Sequence, residues 1–298
     1  MKRLKSRLPI TQPAEPLASF LAEPTRTGDE ISVTGKWVPA SPGGRFSKSP
    51  DSRDMLKEWE DIHLGARADE GVLTTEINHA VGEDAVLVHH VFASPDALTH
   101  YFSTTATEHM AALISVAKPE IHLVRGVKIP EDVRNAVSSK GVDAAFGELL
   151  FGYVKGDYRR PDQASAINVT AKWTAKQDVP SAAEDLEYWW QRVGTEAHGL
   201  EDGLLRFEVY RVIDEDALII HEVFDNNAQL KFHLSKGTAE KYKSDIDEVA
   251  EPECYFFRGP VSWTIRTYSK FMHLPATYSS LGSHHTKAGG SMSDGTTD

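Results

Sequence analysis

Residues Gly71 to Met110 recur 132 positions later, without a gap, as Gly203 to Tyr242. GVLTTEINHAVGEDAVLVHHVFASPDALTHYFSTTATEHM becomes GLLRFEVYRVIDEDALIIHEVFDNNAQLKFHLSKGTAEKY. Gly71/Gly203, Leu73/Leu205, Glu76/Glu208, Asp84/Asp216, His89/His221, Phe92/Phe224 and Leu98/Leu230 are identities, and most other apolar positions stay apolar. The match extends upstream, where Thr34-Gly-Lys-Trp37 answers Thr170-Ala-Lys-Trp173. Downstream, PEIHLVRG ending at Gly126 answers PECYFFRG ending at Gly259. A repeating unit of this size is a whole domain rather than a solenoid module, so 298 residues predict two similar domains in tandem.

Each unit shows the same succession of hydrophobic periods. Ile31 to Val38 alternates and predicts a strand; Asp51 to Arg67 has a helical period through Met55, Trp59, Ile62 and His63. Val72–Val81 and Ala85–Phe92 alternate about a Gly-Glu-Asp turn and predict a hairpin. Ser94-Pro95-Asp96 opens a second helix to about Val116, with a break near Ser103, and Ile121–Lys128 closes the unit as a strand. The order is β-α-β-β-α-β, that of a ferredoxin-like domain, and the fold class is α+β. The first copy adds a helix over Pro130–Lys140 and a strand over Phe146–Lys155. The second copy reads strand Ile167–Thr174, helix Ser181–His198, hairpin Leu204–Phe224, helix Asn227–Val249, strand Cys254–Arg258 and a last strand Val261–Tyr268. The resulting map is an N-terminal arm over 1–29, the first repeat with its extra helix and strand over 30–156, a linker over 157–165, the second repeat over 166–278 and a disordered tail over 279–298.

Composition removes several classes of function. A net charge of −12 without a concentrated basic stripe argues against nucleic acid. Cys254 is the one cysteine, so no intrachain disulfide or multi-cysteine metal site can form, and no HExxH-like spacing points to a metal. The basic start MKRLKSRLPI is followed by prolines and Glu15 where a signal peptide needs an apolar core, and no apolar run approaches the roughly 20 residues that span a bilayer. The expected location is the cytoplasm.

The hairpin turn sets which side chains meet. With the turn centred between Gly82 and Glu83, Glu76 faces His89, and in the second copy Glu208 faces His221. The opposite face of the hairpin is the more apolar and should take the helices, leaving the Glu/His face for whatever the sheet packs on next. Such a pair can serve as a carboxylate-oriented general base, or it can be a satisfied polar pair where two sheets meet. The helix-covered side offers a second constellation: Trp59, His63, His79, His90, Tyr101 and His109 in the first copy. In the second copy it holds Trp189 or Trp190, Arg211, Glu222 and His233. Aromatic side chains there are ordinary core, whereas buried imidazoles and carboxylates require partners or a pocket.

The element order, the Gly-x-Leu strand start at Gly203, the His-Glu-Val-Phe-Asp strand end at His221 and the Leu-x-x-His-Leu helix at Leu230 resemble the antibiotic biosynthesis monooxygenase group of the dimeric α/β-barrel superfamily. The resemblance covers both repeats. It implies a barrel closed between the two repeats of one chain, a pseudodimer, with ligand pockets between sheet and helices and room for further homo-oligomerisation. It also implies a cofactor-independent oxygenase acting on a small aromatic substrate, phenolic, quinol or anthrone-like, with dioxygen. Glu222 and His233 fall on the family's strand Glu and helix His, while the first copy has His90 and Tyr101 there, with His79 nearby; these are the implied catalytic groups. Trp59, His63, Arg211 and Trp190 are the implied substrate contacts. The Asn, Trp and His of the haem-degrading branch fall on Val169, His233 and Lys243, or on Val33, Tyr101 and Ala111, so that pattern is missing and no cofactor is expected. A non-catalytic small-molecule-binding or structural barrel is the alternative reading, and a haem-binding pseudodimer a further one that the missing pattern disfavours.

Overall fold

The computed structural model describes residues 29–41, 50–154, 165–279 and 283–286. In the first half these form β1 (Ile31–Pro39), α1 (Pro50–Ala68), β2 (Val72–His79), β3 (Val86–Phe92), α2 (Pro95–Ser103), α3 (Thr107–Val116), β4 (Ala117–Gly126), α4 (Glu131–Ser138) and β5 (Ala144–Val154). The second half repeats the succession as β6 (Ile167–Ala175), α5 (Ala182–Leu200), β7 (Leu204–Val212), β8 (Ala217–Phe224), α6 (Asn227–Ser235), α7 (Thr238–Val249), β9 (Ala250–Arg258), α8 (Trp263–Phe271) and β10 (Ala276–Tyr278), followed by β11 (Ser283–Thr286). Local chemistry explains the boundaries. Ser94 Oγ accepts from Ala97 N at 3.1 Å to cap α2, with Pro95 at its first position, and Asn226 caps α6 through bonds from Ala228 N and Gln229 N. The helix break expected near Ser103 separates α2 from α3, and a second break at Lys236-Gly237 separates α6 from α7.

The hydrogen-bonded strand order is β10-β9-β6-β8-β7-β5-β4-β1-β3-β2-β11. Each half contributes a ferredoxin-like run, β4-β1-β3-β2 and β9-β6-β8-β7. Strand β5 then lies parallel to β4 and antiparallel to β7, joining the two runs. The C-terminal strands do the same on the other side. Strand β10 is parallel to β9, β11 is antiparallel to β2, Ser279 bridges to Ala80, and Tyr278 O accepts from Val81 N at 2.8 Å. The sheet therefore curls on itself as an intrachain α/β barrel, the halves joined through β5 on one side and through the end of β10 on the other. The register pairs Glu76 with His89 and Glu208 with His221.

Three expectations are corrected. The segment Val261–Tyr268 is not a strand: Trp263–Phe271 is helix, with Ser262 Oγ accepting from Ile265 N and with Ile265 and Ser269 buried one turn apart. The added helix and strand are not confined to the first half, since α8 and β10 are their counterparts. The tail beyond Ser279, expected without order, supplies β11; the N-terminal arm, most of the linker and the end of the tail lie outside the described residues.

Side chains fall into three apolar groups. One fills the space under α1 to α4, with Trp37, Met55, Trp59, Phe92 and Leu113. A second lies under α5 to α8 and includes Phe151 and Tyr153 from β5, so a strand of the first half completes the core of the second. The third, with Leu87, Leu123, Ile219 and Phe256, occupies the barrel interior. Full burial of each such side chain contributes about 1.5–3 kcal/mol. Among the described residues no helix is long and apolar enough to cross a membrane.

Candidate functional site

The Glu/His faces turn into the barrel, where they meet groups from the opposite half. Arg258, on β9, donates to Glu76 Oε2 at 2.8 Å, and Arg125, on β4, lies 3.6 Å from Glu208 Oε2. Tyr210 donates to Glu208 Oε2 at 2.7 Å, and Arg206 forms a further ion pair with the same carboxylate. His89 Nδ1 and Thr34 Oγ1 share a 2.9 Å hydrogen bond; His221 Nδ1 and Thr170 Oγ1 share one of 3.0 Å. Burial, and then the positive charge of Arg258, hold His89 well below the usual imidazole pKa. Both pairs are thus satisfied, each carboxylate answering an arginine from the other half. Sequence reading overlooked these arginines, although each stands at the same place in the repeated Arg-Gly ending, before Gly126 and Gly259. Lys36 with Glu83 and Glu120, and Lys172 with Glu215 and Glu253, form equivalent ion triads, each within its own half.

Between sheet and helices of the second half, His233 sits between two carboxylates. Its Nδ1 is 2.7 Å from Glu201 Oε2, and its Nε2 is 3.1 Å from Glu222 Oε1, an ion pair off the line of a good hydrogen bond. Glu201 also accepts from Thr238 N and Thr238 Oγ1, both at 2.7 Å, which ties the end of α5 to the start of α7. Burial alone would lower the His233 pKa, but the Glu222 charge and the Glu201 hydrogen bond outweigh it and raise the value to about 10. Burial would raise that of Glu201, and the His233 bond together with Thr238 takes it down to about 2. The triad is an imidazolium flanked by two carboxylates. Glu201 carries no motif in the sequence; only its place two residues before Gly203 marks it.

The first half places different groups at the same positions. His90 stands for Glu222, Tyr101 for His233 and Asp69 for Glu201. His90 and Tyr101 are 4% and 3% exposed, their rings 5.8 Å apart, and neither His90 nitrogen nor the Tyr101 hydroxyl has a hydrogen-bond partner among the described residues. Trp59 lies 6.1 Å from His90, and Phe92 stacks on it at 6.1 Å. The indole nitrogens of Trp37 and Trp59 and the Nδ1 of His122 are also without partners. His63 is bonded to Thr75 Oγ1 at 3.1 Å. Burial, reinforced by His63, lowers His90 to about 4; burial, reinforced by His90, lowers His122 to about 3; burial and then Asp69 raise the Tyr101 hydroxyl. Gly35 makes room for His122, since a Cβ there would lie 2.2 Å from its ring. The indole nitrogens of Trp173 and Trp190 lack partners in the second half too, so the first half is set apart by His90, Tyr101 and His122, where each buried donor or acceptor left unmade costs about 1–3 kcal/mol.

Asp69 binds other groups than Glu201 does. Its carboxylate accepts from Gly71 N at 2.9 Å and from Thr105 Oγ1 at 3.1 Å, and it lines an open cleft of about 710 Å³ with Gly71, Ala97, Asp96 and His100.

Of the residues singled out from sequence, the structure brings together Trp59, His63, His90 and Tyr101 in one half and Glu222 and His233 in the other. Trp190 packs edge-on against Trp173 at 5.7 Å, the counterpart of the Trp37–Trp59 contact at 5.5 Å. His79 is not in the buried cluster: it ends β2 and is exposed. Arg211 is exposed as well, held by Glu187 through bonds of 2.7 and 2.8 Å. Alternation placed both on the helix-covered face, but both lie at strand ends beyond the helices' cover. His109 faces Glu58 at 3.1 Å, partly exposed, outside the cluster.

No family model matches the chain, and no curated protein matches it. Among solved structures, a candidate monooxygenase from Fusobacterium nucleatum aligns at 11% identity over 76% of this chain and 89% of its own, with a TM-score of 0.48. A candidate monooxygenase from Lactobacillus acidophilus aligns at 14% identity over 77% and 91%, with a TM-score of 0.46. An anthrone oxidase-like protein aligns at 9% identity over 75% and 88%, with a TM-score of 0.45.

Proposed function

We propose that the chain is a cofactor-independent monooxygenase-type enzyme whose first half works on a small aromatic substrate, phenolic, quinol or anthrone-like, while the second half is structural. The observation that carries this reading is the contrast at equivalent positions: partnerless His90 and Tyr101 in one interior, a closed Glu201–His233–Glu222 triad in the other. A general base must have a free lone pair at working pH. His90 is held neutral and has one; His233, raised to about 10, does not. His90 takes the substrate proton, the Tyr101 hydroxyl donates to the resulting oxyanion, and Trp59, Phe92 and His63 form the aromatic wall. The apolar surroundings that disfavour a lone imidazolium favour an imidazolium–phenolate pair, because attraction between charges strengthens as water is excluded.

For an activated methylene the electron balance closes without a cofactor. Oxidation of CH₂ to C=O releases four electrons, dioxygen accepts all four, one oxygen enters the product and the other leaves as water. Oxygen uptake with hydroxyanthrones, quinols and catechols tests the reading, with the His90→Ala and His233→Ala variants alongside. Uptake lost in the first variant and kept in the second is the expected result; no uptake by the wild-type chain with any of these substrates removes the proposal.

A second reading, a non-catalytic binding or structural barrel, draws support from the near-complete burial of His90 and Tyr101, neither of which lines the open cleft. Binding of the same aromatics without oxygen uptake is its signature.

A further inference from the structure

His122 has no part in the chemistry assigned to His90 and Tyr101, yet it shares their interior. Gly35 of β1 pairs with Val88 of β3 on one side and with His122 of β4 on the other; Val33, the next residue on that face, pairs with His90. His90 and His122 therefore flank β1 one row apart on the helix-covered face. Gly35 has no side chain to separate them, and the His122 ring leans into that room. A Cβ at Gly35 would lie 2.2 Å from the ring's Cδ2 and 2.3 Å from its Nε2. With that edge against β1, the Nδ1 of His122 is turned away from the strand, buried and without a hydrogen-bond partner among the described residues. A row of neighbouring rings joins the two ends. Tyr101 lies 5.8 Å from His90, His90 6.1 Å from Trp59, Trp59 5.5 Å from Trp37 and Trp37 5.3 Å from His122. Unpartnered polar groups thus stand at both ends of one aromatic wall. The second half lacks this second end: Ala171 carries a methyl where Gly35 has none, Tyr255 replaces His122 beside it, and the far end is the closed Glu222–His233 pair.

We propose that His122 is the specificity-determining residue of this half: its Nδ1 hydrogen-bonds an oxygen of the ligand at the end remote from His90 and Tyr101, which selects aromatics bearing an oxygen function at each end. The inference rests on the first half being the ligand-binding half, and it narrows the substrate class from phenols in general to two-ended diols and hydroxy-ketones. A neutral imidazole nitrogen accepts from a hydroxyl or, in the other tautomer, donates to a carbonyl, so both kinds fit. A ligand with a single oxygen leaves His122 as it stands in the free chain. A two-ended ligand gains a hydrogen bond there without breaking one within the protein, and a buried polar group of this kind discriminates strongly against the ligand that cannot answer it.

The test titrates the full chain by calorimetry with three neutral probes: a naphthol, a naphthalenediol with both hydroxyls on one ring, and a naphthalenediol with one hydroxyl at each end. Oxygen uptake with a hydroxyanthrone is followed in parallel. The two-ended diol should bind at least about tenfold more tightly than the other two. In His122→Phe that preference should vanish while the naphthol binds as to wild type. Gly35→Ala, which adds a methyl where the imidazole leans, should remove the preference with His122 still present. In the wild-type chain the Nδ1 resonance of His122 should move with the two-ended diol and stay in place with the naphthol, a readout that needs no variant to fold. Equal affinity for the three probes, a preference kept in either folded variant, an unmoved Nδ1 resonance, or no binding of any probe overturns the proposal; internal water would then be what serves His122. The expected preference and its loss in His122→Phe, without oxygen uptake, leave His122 in its role and remove the enzymatic reading. Oxygen uptake together with equal affinities removes this inference alone.

Discussion

The two halves share a fold and a strand register, yet their interiors are opposites. In the second, one imidazole is charged and enclosed by two carboxylates; in the first, His90 and His122 are neutral, and neither His90 nitrogen nor the Tyr101 hydroxyl has a partner among the described residues. The difference comes from three equivalent positions. Glu201 hydrogen-bonds His233, with Glu222 on the other side of the ring; in the first half Asp69 accepts from Gly71 and Thr105, Tyr101 replaces the imidazole and His90 replaces Glu222. Between two carboxylates the His233 imidazole keeps its proton; His90, buried without a hydrogen-bonding carboxylate, loses it. The same scaffold can therefore lock an interior or leave it available for a ligand, depending on which side chains stand at those three positions.

The largest effect expected is on stability in the second half. His233→Ala leaves two carboxylates buried without their cation, and a loss of about 3–5 kcal/mol in denaturant unfolding is expected. A change under about 1 kcal/mol would mean that the triad is not the lock described here. His90→Ala removes nothing that is paired, so its stability cost should be the smaller of the two, while its effect on oxygen uptake should be at least about 100-fold. Equal effects of the two substitutions on uptake would erase the functional distinction between the halves.

Acid and alkali should also separate them. His233 is raised from 6.5 to about 10, so its stabilisation is complete below the unfolded pKa and is lost as pH climbs from about 6.5 through 10. His90 and His122 are lowered from 6.5 to about 4 and about 3, so both are neutral in the folded chain, and stability falls as pH drops below about 6.5. Glu201, lowered to about 2 from 4.5, adds its own loss in the second half below about 4.5. Hydrogen exchange resolved by segment should therefore show the first half loosening first between about pH 6.5 and 4.5, and the second first above about 8. Simultaneous loosening on both limbs would show the barrel to be one cooperative unit that hides the difference.

The barrel seam offers a symmetric control of smaller contrast. Arg125→Leu and Arg258→Leu each remove a cation that reaches a glutamate of the opposite half, and the latter should cost more because it removes a 2.8 Å hydrogen bond to Glu76, whereas Glu208, 3.6 Å from Arg125, keeps Arg206 and the Tyr210 hydrogen bond. Reversal of that order in chemical unfolding would argue that the seam is carried by other groups. Smallest of all, His79→Ala and Arg211→Ala should change both stability and uptake by no more than about 0.5 kcal/mol, as expected for exposed side chains.

Much of this is legible in the amino-acid sequence. A turn at Gly82 with alternating neighbours leaves one register that buries Val86, Val88 and Phe92, and that register alone puts Glu76 opposite His89. The segment after Val261 departs from the strand expected there for a definable reason. Val261, Trp263, Ile265 and Thr267 alternate as a strand would, but Val261, Ile265 and Ser269 also recur every fourth residue, and Ser262 is a helix cap. Short apolar runs fit either period, and here packing against the second core chose the helix. Arg125 and Arg258 were visible as a repeated Arg-Gly but had no visible partner, because each answers a strand of the other half. His79 and Arg211 were assigned by alternation to the helix-covered face, which says nothing of where that cover stops.

What the amino-acid order determined by itself is periodic and local: two similar units, their β-α-β-β-α-β succession, and the pairs that a two-residue repeat sets across each hairpin. Closure of the barrel by β5 and β10–β11, the arginines crossing between halves, and the protonation of His233 against His90 were decided only by the tertiary structure. Charge state in an interior depends on groups brought within a few ångströms from distant parts of the chain, and on the exclusion of water around them, neither of which any local pattern encodes.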